Sequence, residues 1–350
     1  MLKKLIILPA LLLFCLIFAG GCGEKQLRIY TPCEYFSPEV IDTFEKFYGV
    51  KISVDYYNAN ETLYSKLEAG AVYDILIPSD YMIERLAKEG YLEPLNKRKL
   101  TNLSKIDPAL LQSPMNQYDP LSEYSVPYSW GSVGLIYNPD KISESEVEEK
   151  GFDILLDEKL KGRVYLYDSE RDMFMIALKS LGYSANTSED SEIKKAVEWL
   201  HTVIHNNRPT IVTDEMIDGL INGRKDIAVG FSGDAANIIS HNQNMRFFMP
   251  ESGTNIWVDA IVIPRNSRNI DIAHDFIDYV LGYEASVKNA EYSGYPAANT
   301  EALHHLTTEG GMFENNEAYL PRLSYEKDEM YRDNEFLKMQ LSELWFKLKN

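Results

Sequence analysis

The sequence predicts an α/β fold of two lobes joined by two extended crossings, with a cleft between the lobes. Three observations lead there. Strand-like and helix-like segments alternate from 27 to 90 in the order β-α-β-α-β, which calls for a mostly parallel sheet covered by helices. A second alternating series runs from 163 to 231. Two extended stretches, 126–138 and 255–264, continue neither series and read as crossings. The length of 350 residues fits two domains at about 150 residues each.

Each element has a local reason. Leu27–Tyr30 is strand-like, and Ser37-Pro38-Glu39 opens a helix with Ser at the N-cap, Pro at N1 and an acid in the first turn. Val40, Phe44 and Phe47 repeat at helical spacing, and Gly49 stops that helix. Residues 51–57 alternate as a strand. Asn60 is placed to cap the next helix, whose face carries Leu63 and Leu67 and which Gly70 ends. Ile75–Ile77 is a buried strand, and Pro78-Ser79 opens a helix that ends at Gly90. In the second series, 163–167 and 226–231 are strands, and Asp168-Ser169 caps a helix through Met173, Ile176 and Leu178. Residues 192–204 and 216–221 are helical. After the second crossing come helices at 270–281, 285–292 and 331–348. No internal repeat or low-complexity segment is present.

Charge and composition exclude several classes. Lys and Arg number 35 against 53 Asp and Glu, for a net charge of −18, which disfavours clamping nucleic-acid phosphates. Three cysteines exclude a disulfide scaffold and a four-cysteine zinc site. Lys3 and Lys4, the apolar run 5–19 and the small residues before Cys22 make a secretory signal, too short for a membrane span of about 20 residues. Its Ala19-Gly20-Gly21-Cys22 ending resembles the bacterial lipobox, which implies cleavage before Cys22 and a lipid anchor there. Residues 1–21 are then the signal and 22–26 a tether. Cys33 remains the other thiol of the mature chain, and burial is expected for it.

In open parallel sheets, ligands sit beyond the carboxyl ends of strands. The candidate windows are 31–36, 78–81, 168–172, 231–234 and 257–259, and their shared content is aromatic plus carboxylate. Carboxylates satisfy an ammonium directly, and aromatic faces attract it at roughly 0.5–2 kcal/mol per ring. Such a cleft suits an organic polyamine better than an anion.

At this point a resemblance becomes specific. Tyr57–Thr62 with Lys66-Leu67, Tyr73–Ser79, Lys99–Leu103, Val126–Gly131, Trp257-Val258-Asp259 and Gly294-Tyr295-Pro296 stand in one order and spacing. Together they resemble the bacterial spermidine/putrescine-binding proteins that feed ABC importers, over roughly 26–345. The resemblance implies a type II periplasmic-binding-protein-like fold, with the ligand in the cleft. It implies an aromatic box of Tyr35, Tyr81, Trp257 and Tyr295, and a central acid at Asp259 for an inner amine. A terminal amine would meet Asp172, where the family has Glu, together with Asp168 or Ser169, depending on a one-residue choice. Ser79 is carried over as a polar contact. Pro32 and Phe231 stand where the family has Trp, and Phe231 keeps a ring in the site; Cys33 replaces a Thr. The family's C-terminal Gln contact has no clear counterpart, although Tyr331 falls near it.

The resemblance further implies membrane permease subunits as partners, no cofactor, no metal and a monomer. The lobes would be 27–130 plus 259–300 and 131–258 plus 301–350, closing by hinge motion. Tyr128 and Trp130 are expected to pack at the hinge, and Glu170 to face solvent. Enzyme readings lack support: there is no Gly-x-Ser-x-Gly elbow, Walker A loop or His-Glu-x-x-His. His201 and His205 share a helix face without a third ligand nearby. A ferric-ion receptor would use adjacent tyrosines, for which Tyr56-Tyr57 is a candidate, and a sugar receptor is a further alternative.

Overall fold

The computed structural model describes residues 25–112 and 115–350. The expected signal and the lipidation position Cys22 lie outside the described residues. The first series is β1 (Lys25–Thr31), α1 (Pro38–Tyr48), β2 (Val50–Tyr56), α2 (Asn60–Glu68), β3 (Ile75–Leu76) and α3 (Asp80–Lys88). β1 pairs in parallel with both β2 and β3, as the alternation requires. Lys25 and Gln26, expected in a tether, are already part of β1.

Then come β4 (Ser125–Tyr137), α4 (Glu144–Lys150), β5 (Val164–Tyr167), α5 (Glu170–Ser180), α6 (Asp190–Asn207), β6 (Thr210–Val212), α7 (Glu215–Ile221), β7 (Ile227–Phe231), α8 (Ser232–His241) and β8 (Arg246–Phe248). The chain ends with β9 (Ile256–Val262), α9 (Ile270–Val280), α10 (Tyr283–Ser293), α11 (Thr300–Thr307) and α12 (Glu335–Lys349). One sheet runs in the order β2-β1-β3-β9-β4-β7-β5-β6, with β8 added to β4.

The two expected crossings are β4 and β9. They pair antiparallel from Ser125↔Val262 to Ser132↔Ile256, and the register shifts between Pro127 and Ser129. Proline has no N–H to give the ladder, so a local irregularity there is expected. Beyond Ser132, β4 pairs with β7 and β8 instead. One strand, buried along its whole length, thus serves both lobes.

One apolar core holds β1–β3, α1–α3 and α9 with the first half of β4. Two others cover opposite faces of the β4-β7-β5 region, one under α5, α6 and α12, the other under α7, α8 and α11. Along α10 the chain passes between cores: Ala285 packs in the first and Ala290 in the third.

Some local expectations are corrected. Ser37 does occupy the N-cap of α1, but its side chain makes no cap bond; its N–H donates to Asn289 Oδ1 at 2.9 Å. Gly49 ends α1 in the left-handed conformation at φ 62°, which a Cβ would disfavour. Asn60 does not cap α2; Ala59 stands at the N-cap. Asn60 instead exchanges two hydrogen bonds with Ser79, at 2.9 and 3.1 Å. α12 begins at Glu335 rather than 331 because Asn334 caps it, accepting from Leu337 N at 3.0 Å. Phe47, expected on the apolar face of α1, is 80% exposed, whereas Phe44 is fully buried against Phe276 and Tyr279.

That contrast is testable by urea denaturation. Phe44→Ala should cost about 3–5 kcal/mol, and Phe47→Ala should stay within about 0.5 kcal/mol of the parent.

Candidate functional site

A cavity of about 390 Å³ lies between the lobes. All ten residues expected from the sequence are on its wall: Tyr35, Ser79, Tyr81, Asp168, Ser169, Asp172, Phe231, Trp257, Asp259 and Tyr295. They arrive from strand ends and helix starts. Tyr35 follows β1 after Glu34, a non-glycine residue at φ 61°. Ser79 is the N-cap of α3, and Tyr81 is in its first turn. Ser169 caps α5, accepting from Asp172 N at 3.4 Å. Trp257 and Asp259 are two apart on β9, and so share a face of that strand.

The rings form a continuous wall. Tyr35 and Tyr295 are 6.4 Å apart, Tyr295 and Trp257 5.1 Å, Trp257 and Phe231 6.2 Å, and Phe231 and Tyr167 4.9 Å. The last three contacts are edge-to-face, a favoured aromatic arrangement. Two glycines permit this packing: a Cβ at Gly131 would collide with the Trp257 indole, and one at Gly233 with the Tyr295 ring. Tyr128 donates to the Tyr35 carbonyl at 2.8 Å, fixing the loop from behind. Like Trp130 it is buried.

The acids differ sharply. Asp259 is 5% exposed. Its Oδ2 accepts from Tyr35 OH, and its Oδ1 has no partner among the described residues. Burial pushes its carboxyl up to about 6, although bonds from Ser79 and Tyr35 favour the charge. Asp172 is buried, with Tyr331 OH donating to Oδ1 at 2.7 Å. Burial raises it too, against the bonds from Ser169 and Tyr331. Neither acid has an ion-pair partner among the described residues, so each is a buried carboxyl whose charged form lacks a paired cation. Asp168 lies at the rim and does not cap α5. It accepts from Trp345 Nε1 at 2.8 Å and pairs with Lys349 at 2.5 Å. Partial burial works against its charge, but these two partners outweigh it and lower its pKa.

Tyr331, which chain order alone put near the family's C-terminal contact, enters the cavity from the segment before α12. Further wall residues were not anticipated. Arg171 lies over the Tyr81 and Tyr331 rings at 4.7 and 4.3 Å. Lys338 pairs with Glu61 at 2.7 Å. Asp80 stands inside a window that strand ends had marked, yet its burial was not anticipated. Glu170 does not face open solvent; it is half-buried on the cavity wall and accepts from Ser342 at 2.8 Å. Cys33, expected to be buried, is exposed; beyond the turn at Glu34 it is Tyr35 and Phe36 that are buried. Tyr56 and Tyr57 do not converge: Tyr57 faces the cavity and donates to the Ile77 carbonyl at 2.6 Å, whereas Tyr56 is exposed. Alternation along β2 sends the two opposite ways.

Residues 39–318 match the family model of the bacterial extracellular solute-binding proteins. The chain belongs to that family. It is similar to the spermidine/putrescine-binding periplasmic protein of Salmonella typhimurium, 31% identical over 83% of this chain and 82% of that one. Among solved structures it is similar to a Listeria monocytogenes protein provisionally assigned as a spermidine/putrescine ABC transporter, with a TM-score of 0.82, 32% identity and coverage of 93% and 99%. It is also similar to the spermidine/putrescine ABC transporter substrate-binding protein PotD of Streptococcus pneumoniae, with a TM-score of 0.74, 30% identity and coverage of 93% and 98%. These neighbours give the family's type II periplasmic-binding-protein fold.

The raised carboxyl of Asp259 has a measurable cost. Its pKa is higher folded than unfolded, so the charged form destabilises the empty protein as pH rises from about 4 through about 6. Asp259→Asn should therefore stabilise the empty protein at pH 8 by on the order of 1–3 kcal/mol, with little change at pH 4. Thermal unfolding at the two pH values checks this.

Proposed function

We propose that the chain is the substrate-binding component of an ABC importer for polyamines, spermidine or putrescine or both. One observation carries the reading: Asp259 is a buried carboxylate with a free oxygen and no cation, set among the rings of Tyr35, Trp257 and Tyr295. An ammonium supplies the missing charge and donors, and the rings cover its methylene chain. In this reading Asp259 takes an inner amine and Asp172 a terminal one, beside Ser169 and the rim acid Asp168. Tyr81, Phe231 and Ser79 complete the walls. The names of the relatives support the same ligand class.

The mechanism is binding without chemistry. The lobes, 27–130 plus 259–300 and 131–258 plus 301–350, rotate about β4 and β9. Closure strips water from the ammonium groups, so each must gain a carboxylate to avoid a cost of several kcal/mol. The closed monomer is the form offered to the permease subunits. Cleavage before Cys22 and lipidation of that residue hold it at the outer face of the membrane, which needs no cofactor and no metal.

Titration calorimetry tests the reading. Spermidine or putrescine should bind at micromolar concentration or below, and maltose and ferric citrate should give no heat. Asp259→Asn should weaken binding by about 1.5–3 kcal/mol, the worth of a charge-assisted contact. Unchanged polyamine affinity in that variant would remove Asp259 from the site. In cells, Cys22→Ala should release the protein from the membrane fraction; retention there would refute the lipid anchor.

A further inference from the structure

The titratable groups outside the inherited site pattern include one that touches it. Asp80, the first residue of α3, lines the same cavity as Asp259 and is 1% exposed. Its Oδ1 accepts from Tyr81 N at 2.6 Å. Its Oδ2 reaches across to β9 and accepts from Val258 N at 3.3 Å, the amide immediately before Asp259. Ser79, the residue before Asp80, forms a β-bridge with Asp259. Two buried carboxyls, carried by two paired segments, thus line one cavity. Two N–H donors occupy only part of the accepting capacity of Asp80.

We propose that Asp80 is a second carboxyl of the cation site, and that in the empty cleft it shares a proton with Asp259 which a bound polyamine expels. The proposal rests on the polyamine reading of the cleft. Like charges buried on the wall of one cavity disfavour double ionisation. The surroundings are mixed. From β9 comes Asp259, and from α5 comes Arg171, whose positive charge favours the ionised form of Asp80. Tyr118 faces it from the segment before β4, and Tyr331 and Arg332 from the segment before α12. The Arg332 guanidinium is engaged by Glu84, at 2.7 and 3.0 Å. The tyrosines Tyr35, Tyr57 and Tyr295 surround Asp259 and are all raised by burial, so they stay neutral. Burial, with Asp259 adding to it, pushes Asp80 up to about 7 despite the two N–H bonds and Arg171.

When the ligand enters, its ammonium keeps all of its protons. The single shared proton leaves the carboxyl pair for the buffer, and the incoming positive charge replaces it. Capture is then stronger at higher pH and weakens on acidification through the range where the pair protonates. Asp80 thus makes the receptor's grip depend on the proton concentration outside the cell.

The test is calorimetric titration of the purified protein with spermidine and with putrescine, in buffers of different ionisation enthalpy, from about pH 6 to about pH 8. The expected result is release of up to about one proton per ligand near pH 6, declining towards none near pH 8. Kd should rise by up to about tenfold per pH unit on the acid side. Asp80→Asn keeps an oxygen for the Tyr81 N–H, and should abolish most of the release and flatten the pH profile. Binding by the parent protein without proton release overturns the proposal, and this needs no variant to fold. Equal release by folded Asp80→Asn also overturns it. Absence of binding by both polyamines at every pH would instead overturn the polyamine reading itself.

Discussion

The antiparallel pairing of β4 with β9 is the constraint on which the rest depends. It is the place where the chain passes between lobes twice, and it closes the first sheet segment onto the second. β9 also delivers Trp257 and Asp259 to the cavity, so the segment that joins the lobes and the segment that brings a buried carboxyl to the cavity wall are the same seven residues. Both strands are buried throughout. Away from the cavity face that Trp257 and Asp259 share, their neighbours are therefore other protein groups, and those side chains are fixed by packing as well as by the ladder.

Around that pair the molecule keeps charge where water cannot reach. Surface ion pairs such as Lys347 with Glu343 add little to stability. Asp259 and Asp172 are different, because no ion pair among the described residues compensates their burial; hydroxyl donors do so in part, Tyr35 and Ser79 for Asp259, Tyr331 and Ser169 for Asp172. The aromatic wall lowers the local polarity that makes this costly, and at the same time offers the faces that attract a cation. Stability is given up at the spot where, in the proposed function, a cation would restore it, a pattern expected of binding sites.

Much of this was legible in the residues. Alternation of periods located the β-α-β-α-β series and both crossings, and the strand-end rule reached every ring and acid of the inherited pattern except Tyr295, which the family resemblance supplied. What escaped depended on contacts made far along the chain. Asp80 is buried because β9 arrives from 178 residues away to donate an N–H. Asn60 has the composition of a helix cap, but Ser79 offered it two bonds. Phe47 obeys helical spacing, yet its ring meets that of its chain neighbour Tyr48 outside the core that buries Phe44. Tyr331 was read as helix, since no local signal separates it from α12 except Asn334, three residues later. Local periodicity records which face is apolar; it does not record how far the neighbouring core extends.

The C-terminal helix has a consequence for handling the protein. α12 sends Lys338 to Glu61, Ser342 to Glu170, and Trp345 and Lys349 to Asp168. The last residues of the chain are therefore wired to the rim of the cleft. A proteolytic trim of the final turn removes the Lys349 charge beside Asp168 and so alters the electrostatics of the cleft mouth, while every residue of the cavity wall stays in place. Comparisons of affinity between preparations are meaningful only when that end of the chain is the same in each.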